Sequence, residues 1–563
     1  MRYSVLAELY ERLSSTSKRL EKTAMLSNFL QTLLDSDKDI IYLLVGNIYP
    51  SHDERKIGIS DQLVIKAISK ASGIPSEKIV DEWRNIGDLG KVAEKFIRGK
   101  KQSTLSSNIL TTEKVIDNLR KLPLLEGQGT VDKKIALITE LLTSSEPIEA
   151  KYIVRTLLSD LRVGIKESTI RDSLAEAFFK EGKEVAGNIQ KAIDKSNDLG
   201  EIFILAKKGK IKDLDRIEYE VGKPIKVMLA QKAKTIADGF EAVGKPCAIE
   251  YKYDGFRLLI SKNKKVITLY TRRLENVTKQ FPEVIEYVNK YVKGDSFILD
   301  SEAVGYDKIT KKYMPFQAIS QRIKRKYDIE KVSRELPIEI NVFDILHFNG
   351  KPLLDLPFKE RTKILKGIIE KTPYRIIPSK QIITDSLKKA EEFYKQALKD
   401  NQEGVMMKNL SSPYNPGSRV GHMLKIKPSD RDLDLVIVGG EYGTGKRSGW
   451  LSSFDLACRT DDGFLEVGKV ATGVKEKVEE GVSYDELTKL LKPLIFSEDG
   501  RGVKIKPKIV VSITYQELQK SPTYSSGFAL RFPRFTALRP DRNTEDVASI
   551  EDIKDAYEKQ NRN

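Results

Sequence analysis

The stretch Glu250-Tyr251-Lys252-Tyr253-Asp254-Gly255-Phe256-Arg257 decides how the chain is read. Cys247-Ala248-Ile249 leads into it and Leu258-Leu259-Ile260 leads out. Both flanks read as strand, with Asp254-Gly255 as the turn signal between them. Side chains alternate along a strand, so Glu250 and Lys252 share one face while Ile249 and Tyr251 take the other. A lysine on a polar strand face, with a glutamate beside it and an arginine just past a glycine turn, is a candidate nucleophile. Lysine attacks only when neutral, and desolvation or neighbouring cations lower its pKa toward that state. The same residues also suit an ordinary solvated hairpin, so the choice falls to the rest of the chain.

With 563 residues the chain is too long for one core and divides into several domains. Lys and Arg outnumber Asp and Glu by 97 to 81, a formal charge of +16. Such an excess favours a polyanionic partner, most simply nucleic acid. No apolar run reaches membrane-spanning length. Met1-Arg2-Tyr3-Ser4-Val5-Leu6-Ala7-Glu8 lacks the apolar core and cleavage site of a signal peptide. A cytoplasmic protein with no membrane partner is expected. Cys247 and Cys458 are the only cysteines, too few for a disulfide framework or a four-cysteine zinc site. His52, His347 and His422 show no metal-ligand spacing, and no nucleophile-elbow motif supports a Ser-His-Asp triad.

Outward from the opening stretch the chain has three textures. Residues 1–223 read as an all-α domain. Apolar residues recur at helical spacing over 3–13, 20–34 and 153–179, with Thr169 as a candidate N-cap. Basic residues gather at the joints, in Arg98-Gly99-Lys100-Lys101 and at Arg155, Arg162 and Lys166. Such joints grip phosphates without reading sequence, and each residue taken singly also suits a solvated face. Residues 224–427 read as α+β, with strands at 248–251, 266–270, 297–300, 340–346 and 404–408 and helices at 359–369 and 387–398. Residues 428–543 read as a small β-barrel of oligonucleotide-binding (OB) type. Its strands are expected at 433–438, 454–458, 464–470 and 509–513, with a charged helical insert over 475–491. Residues 544–563 read as one polar C-terminal helix.

Further constellations carry polar chemistry. Thr271-Arg272-Arg273-Leu274-Glu275-Asn276 closes a strand with two arginines. Asp300 and Glu302 share a strand face and suit a cation, a ribose hydroxyl or water. Phe343, in Asn341-Val342-Phe343-Asp344, is either core or a stacking platform for a base. Glu403 and Lys408 have opposite strand parity, so Gly404 permits a bend or one of the two lies beyond the strand end. Leu424-Lys425-Ile426-Lys427 alternates strictly. Two cations on one strand face repel unless an anion sits between them, which argues for a phosphate site. Gly440-Glu441-Tyr442-Gly443-Thr444-Gly445-Lys446-Arg447 nearly spells a Walker A loop. Arg447 replaces the Ser or Thr that would hold magnesium, and no helical pattern follows. A basic glycine turn that touches a nucleic-acid backbone is the better reading.

Together these segments resemble the covalent nucleotidyltransferases. Lys252-Tyr253-Asp254-Gly255 with Arg257 resembles their motif I, and the segments around Arg272, Glu302, Phe343, Glu403 and Lys425-Ile426-Lys427 resemble the later motifs in order. The helical front and the closing segment, Arg531-Phe532-Pro533-Arg534 through Arg539-Pro540-Asp541-Arg542, narrow the likeness to the ATP-dependent DNA ligases, archaeal replicative type, over nearly the whole chain. Two departures stand out. Arg419-Val420-Gly421-His422-Met423 lacks the aromatic residue often seen before the Leu-Lys, and Arg542 stands where many relatives have lysine.

The resemblance implies an enzyme that seals nicks in double-stranded DNA during replication, repair and recombination, as a monomer. Lys252 would take AMP from ATP and pass it to the 5′-phosphate at the nick. Glu250 would help fix adenine and Phe343 would stack on it. Arg257, Arg272 and Arg419 would bind the nucleotide or the nick phosphate. Glu302 and Glu403 would hold Mg²⁺ near the nucleotide, and Lys425 and Lys427 would neutralise phosphate charge. Arg539 and Asp541 would serve the first step after a swing of the barrel. Gln102-Ser103-Thr104-Leu105 resembles a shortened sliding-clamp (PCNA) box and equally suits an exposed polar loop. An RNA ligase or capping-type nucleotidyltransferase shares the lysine motif but not normally the helical front. A non-catalytic nucleic-acid-binding relative would have no need of an intact Lys252. An NAD-dependent ligase would usually carry the zinc site that two cysteines cannot form.

Overall fold

Apolar spacing makes the front of the chain helical. In the helix Tyr3–Ser14, residues Tyr3, Leu6, Ala7, Leu9, Tyr10 and Leu13 turn inward, and the helices through Ile211–Asp215 pool such faces into one core. The computed structural model describes the whole chain except residues 54, 100–108, 128, 315, 321, 324–326, 429–430, 478, 480 and 563. The clamp-box reading at Gln102–Leu105 therefore lies outside the described residues. Two helices start on an Asp-Leu-Gly step. Asp88 accepts from the Gly90 and Lys91 amides and Asp198 from those of Gly200 and Glu201, satisfying donors at the helix start. The glycine of each step lets its helix approach a neighbour. A Cβ on Gly90 would lie 2.7 Å from the Lys151 carbonyl oxygen, and one on Gly200 2.6 Å from the Tyr42 hydroxyl.

The helical spacing over 153–179 is carried by two helices, Pro147–Leu157 and Glu167–Phe178. Between them Ser159, Arg162 and Gly164 have positive φ, which a right-handed helix cannot continue. The N-cap of the second helix is Lys166, so Thr169 lies inside that helix and is not its cap.

The middle of the chain folds as strands β1 (Leu229–Lys232), β2 (Cys247–Lys252), β3 (Phe256–Asn263), β4 (Val266–Thr271), β5 (Ser296–Gly305), β6 (Ile338–Phe348), β7 (Lys351–Pro352), β8 (Ile376–Pro378), β9 (Gln381–Thr384), β10 (Gly404–Asn409) and β11 (Arg419–Ile426). The helices Phe358–Ile368 and Leu387–Lys399 fall where the sequence puts them. One sheet has the order β1-β11-β10-β2-β9 and the other β4-β3-β5-β6-β7, with β8 on β6. Here the structure corrects the opening reading. β2 and β3 are consecutive but are not a hairpin, because each belongs to a different sheet. β2 is antiparallel to β10 and β9, and β3 to β4 and β5. Asp254-Gly255 carries the chain from one sheet to the other. A Cβ on Gly255 would lie 2.3 Å from the Ala303 carbonyl oxygen, so only glycine fits where the crossing passes β5.

In the C-terminal strand-rich unit, the long strand Arg431–Tyr442 pairs with Leu451–Thr460 on one edge. On its other edge it pairs with Val510–Tyr515 and then with Gly502–Ile505. Serving two partners bends it, and the sheet curls into a half-barrel around Leu435, Ile437, Phe454, Leu456 and Val511. The expected insert helix is shorter than 475–491. It spans Tyr484–Leu491, because Ser483 caps it in a capping box with Glu486. The last helix is Ile550–Arg562 and is not uniformly polar, since Ile550 and Ile553 are buried in the half-barrel core. Among the described residues, no helix is long and apolar enough to cross a membrane.

Candidate active site

Lys252 ends β2, and its Nζ lies 2.6 Å from Glu403 Oε2. Glu403 sits just before β10 and donates its amide to the Lys252 carbonyl, 2.9 Å. It thus lies beyond the strand end, which resolves its parity with Lys408. Gly404 makes this possible: its φ is +143°, and a Cβ there would lie 2.1 Å from the Ile426 carbonyl oxygen. Lys427 pairs with the same Glu403 oxygen. Burial alone would raise the Glu403 carboxyl, but Lys252 and Lys427 outweigh it and hold the group well below the usual range. Burial, then Lys252 and Lys427, hold the Lys425 amine below the usual lysine range, and burial, then Lys252, do the same to Lys427. Two lysines, Lys252 and Lys427, thus share one carboxylate, and Lys425 is close enough to feel their charges.

Glu302 lies on β5 opposite Arg257 of β3. Burial pushes its carboxyl up to about 8, Lys252 and Arg257 oppose the rise, and Glu403 and Asp300 add to it. Asp300, fully buried, belongs to Arg257 instead: Arg257 Nε donates to its Oδ1 at 2.8 Å, and the Tyr414 hydroxyl to its Oδ2 at 2.7 Å. Arg257 also donates to the Met228 carbonyl, 2.8 Å, and stands 5.3 Å from the Phe343 ring centroid. Its guanidinium is anchored within the protein beside the site. Glu250 is 3% exposed; its Oε1 accepts from Gln381 Nε2 at 2.8 Å and its Oε2 pairs with Lys408 Nζ at 2.6 Å. Lys408 Nζ lies 4.8 Å from the Phe343 ring, so one buried lysine ties Glu250 to Phe343.

The remaining candidates lie farther out. Arg419 is exposed and donates to the Ala230 carbonyl, 3.3 Å, yet its charge is felt at Lys425. Arg272 lines a separate cleft of about 600 Å³, between β4 and the helical front, with Arg55, Lys56, Lys226 and Arg273. Arg539 and Asp541 pair with each other at 2.8 Å, and Arg539 with Asp434 at 2.8 Å. Their described partners stay within the half-barrel. Its contribution at Lys252 is instead Arg531, whose Nη1 lies 2.6 Å from Glu517 and 3.5 Å from Asp254. Burial and Glu403 push the Asp254 carboxyl up, against Arg531.

Gln381 and Tyr414 are site neighbours that sequence reasoning passes over, and Lys408 and Asp254, read there only for strand parity and as part of the turn, join them. The signal for Lys408 is its run, Val405-Met406-Met407, which makes β10 buried on both faces. A lysine there needs a carboxylate.

Comparison with known proteins extends this geometry to the whole chain. A family model described as "DNA ligase N terminus" matches residues 2–175, one for "ATP dependent DNA ligase domain" matches 227–427, and one for "ATP dependent DNA ligase C terminal region" matches 447–542. DNA ligases of Nanoarchaeum equitans, Thermococcus fumicolans and Archaeoglobus fulgidus are 46%, 40% and 39% identical to it, each over 100% of this chain and 99% of the relative. The solved structure called Pmar-Lig_PreS3 shares the fold, with a TM-score of 0.59 at 18% identity over 95% of this chain and 99% of its own. With its helical front, its lysine-bearing pair of sheets and its half-barrel all matched, the chain belongs to the ATP-dependent DNA ligase family.

Proposed function

We propose that Lys252 carries AMP from ATP to the 5′-phosphate at a nick in duplex DNA, and that the residues gathered around it serve that transfer. The observation that carries this reading is the pairing of both Lys252 and Lys427 with the single carboxylate of Glu403, with Lys425 close enough to feel their charges. The surplus positive charge draws in a triphosphate. Lys252 Nζ attacks the α-phosphorus of ATP. An N–P bond forms, the bond to pyrophosphate breaks, and the amine proton leaves toward Glu403, 2.6 Å away. An oxygen of the 5′-phosphate then displaces Lys252 from phosphorus, and the 3′-hydroxyl displaces AMP. The relay divides one hard joining reaction into easier steps.

Glu250, held by Lys408 and Gln381, accepts from the amino group of adenine, and Phe343 offers its ring to the base. Arg257 acts as a positioning residue through Asp300. Arg419 and Arg272 reach the nick phosphates from the rim. Mg²⁺ takes oxygen ligands, commonly one or two carboxylates completed by phosphates and water. Glu302 and Glu403 fit that set, since the charge of Glu403 raises the cost of ionising Glu302, which a cation relieves. Bound there, Mg²⁺ would neutralise charge developing on the phosphates. The helical front (1–223) and the half-barrel (428–543), read as OB type, grip the duplex through its backbone around the 224–427 unit, with 544–563 as a tail. A clamp contact at Gln102–Leu105, work as a monomer and a cytoplasmic place beside the chromosome complete the reading.

Radiolabelled ATP with Mg²⁺ and no DNA, followed by a denaturing gel, tests the core of it. The protein should retain label, and Lys252→Arg should lose it, because arginine stays protonated. Label on the arginine variant would remove Lys252 from its role.

A further inference from the structure

A carboxylate that can turn freely is a permissive reader of a purine edge. It accepts from the amino group of adenine, and equally from the N1–H of a 6-oxopurine such as guanine or hypoxanthine. Which base Glu250 admits therefore depends on what holds its two oxygens.

Two side chains hold them. Lys408 Nζ pairs with Oε2 at 2.6 Å, and Gln381 Nε2 donates to Oε1 at 2.8 Å. Gln381 lies on β9 directly opposite Glu250 of β2. Directly opposed residues share a sheet face, and that face of β2 also carries Lys252. The far end of Gln381 is held as well. Lys366, in the last turn of the helix Phe358–Ile368, donates from Nζ to Gln381 Oε1 at 2.9 Å. The two ends agree, because a carboxylate takes only the NH₂ end of an amide and an ammonium only its carbonyl end. Turning the amide over would set its carbonyl against Glu250 and its NH₂ against Lys366. Lys366 is exposed and Glu250 is 3% exposed, so the bond to Glu250 is the stronger of the two restraints.

We propose that Gln381 is a positioning residue for base choice: with Lys408 it braces the Glu250 carboxylate, so that the pocket admits a 6-aminopurine nucleotide and rejects a 6-oxopurine one. This rests on the reading of Glu250 as the adenine contact. A braced carboxylate keeps a lone pair toward the exocyclic group. An amino group donates to it there. A 6-oxo group brings its own lone pairs to the same place, and two acceptors face each other with no proton between them. A carboxylate released from Gln381 turns aside and accepts from N1–H instead, and the pocket loses its preference.

The test uses the full-length protein with Mg²⁺, no DNA, and radiolabelled ATP or inosine triphosphate. The inosine nucleotide carries the 6-oxo group and the N1–H and lacks the 2-amino group of guanine, so it isolates the edge that Glu250 faces. Self-labelling of Lys252 gives kcat/KM for each. The wild type should prefer ATP. Gln381→Leu should shrink the ratio of the two kcat/KM values roughly tenfold or more, with the change carried by KM more than by the saturated rates. Gln381→Met, unbranched like glutamine, should shrink it equally, which assigns the loss to the amide and not to packing. Lys366→Met should shrink it less. Losses of equal size for both nucleotides in the Gln381 variants overturn base choice and leave a structural role. A wild type that prefers ATP while both Gln381 variants keep its ratio overturns the brace alone. A wild type that labels equally from the two nucleotides overturns the adenine contact at Glu250 and the brace with it.

Discussion

Lys408 shows what burial demands of one side chain. It is 5% exposed and pairs at 2.6 Å with Glu250, itself buried. Removing one partner of a buried pair strands the other, at a cost on the order of 3–5 kcal/mol. Lys408→Met should therefore lower the melting temperature and raise KM for ATP in self-adenylylation roughly tenfold or more, with a smaller fall in rate at saturating ATP. A variant that kept its KM and lost only the saturated rate would move Lys408 from the base pocket into the chemistry. Asp194 is the opposite case, a carboxyl with too little compensation. Burial pushes it up to about 6, helped by Glu167 and opposed by Gln190 and Lys226. The folded protein thus holds a proton that the unfolded chain, with an Asp pKa of about 3.9, gives up. Stability is full below about pH 4 and falls as pH rises through about 6, by roughly 2 kcal/mol or less. Asp194→Asn should raise the melting temperature at pH 7.5 by a few degrees and make no difference at pH 4. A pH-independent difference would show that some other property of the site decides it.

At the scale of the element, the strands around Lys252 are legible in the sequence, and so is their alternation. Which sheet each joins is not. Asp254-Gly255 marks a turn whatever the next strand pairs with, and the pairing is fixed by distant partners: Gly404 opposite Lys252 and Ala303 opposite Phe256. The bend before β10 is legible as a need, from the parity of Glu403 and Lys408, but its direction depends on Ile426. Lys408 stays hidden because a strand lysine reads as exposed unless both faces of its strand are known to be covered. The closing motif divides in a way no spacing reveals, with Arg531 at Asp254 and Arg539 held by Asp434 and Asp541. For Arg539 and Asp541 to serve the attack on ATP, the half-barrel must take a second position. Arg539→Ala with Asp541→Ala should then cut AMP labelling at least roughly tenfold, and leave sealing of a nick already carrying AMP largely intact. A parallel fall in both activities would mean that the cluster only braces the strand bearing Asp434.

For the molecule as a whole, the charge of +16 and the helical front point to a grip on phosphates rather than bases. A chain shortened to begin at Pro224 should still label itself with AMP but bind a nick weakly, with a salt slope lower by about 0.9 for each phosphate that the front would have neutralised. Equal nick affinity with and without the front would end that assignment. One joint in this assembly has a further consequence. Arg531 meets Asp254 of the middle unit, yet it lies closer to Glu517, its register partner on the neighbouring strand of its own hairpin. When the half-barrel lifts away, the arginine keeps its counter-ion and needs no new one from solvent. The moving half of the joint is complete in itself, as in a press stud. A half-barrel that left and returned during a catalytic cycle would not have to rebuild the surface that fastens it.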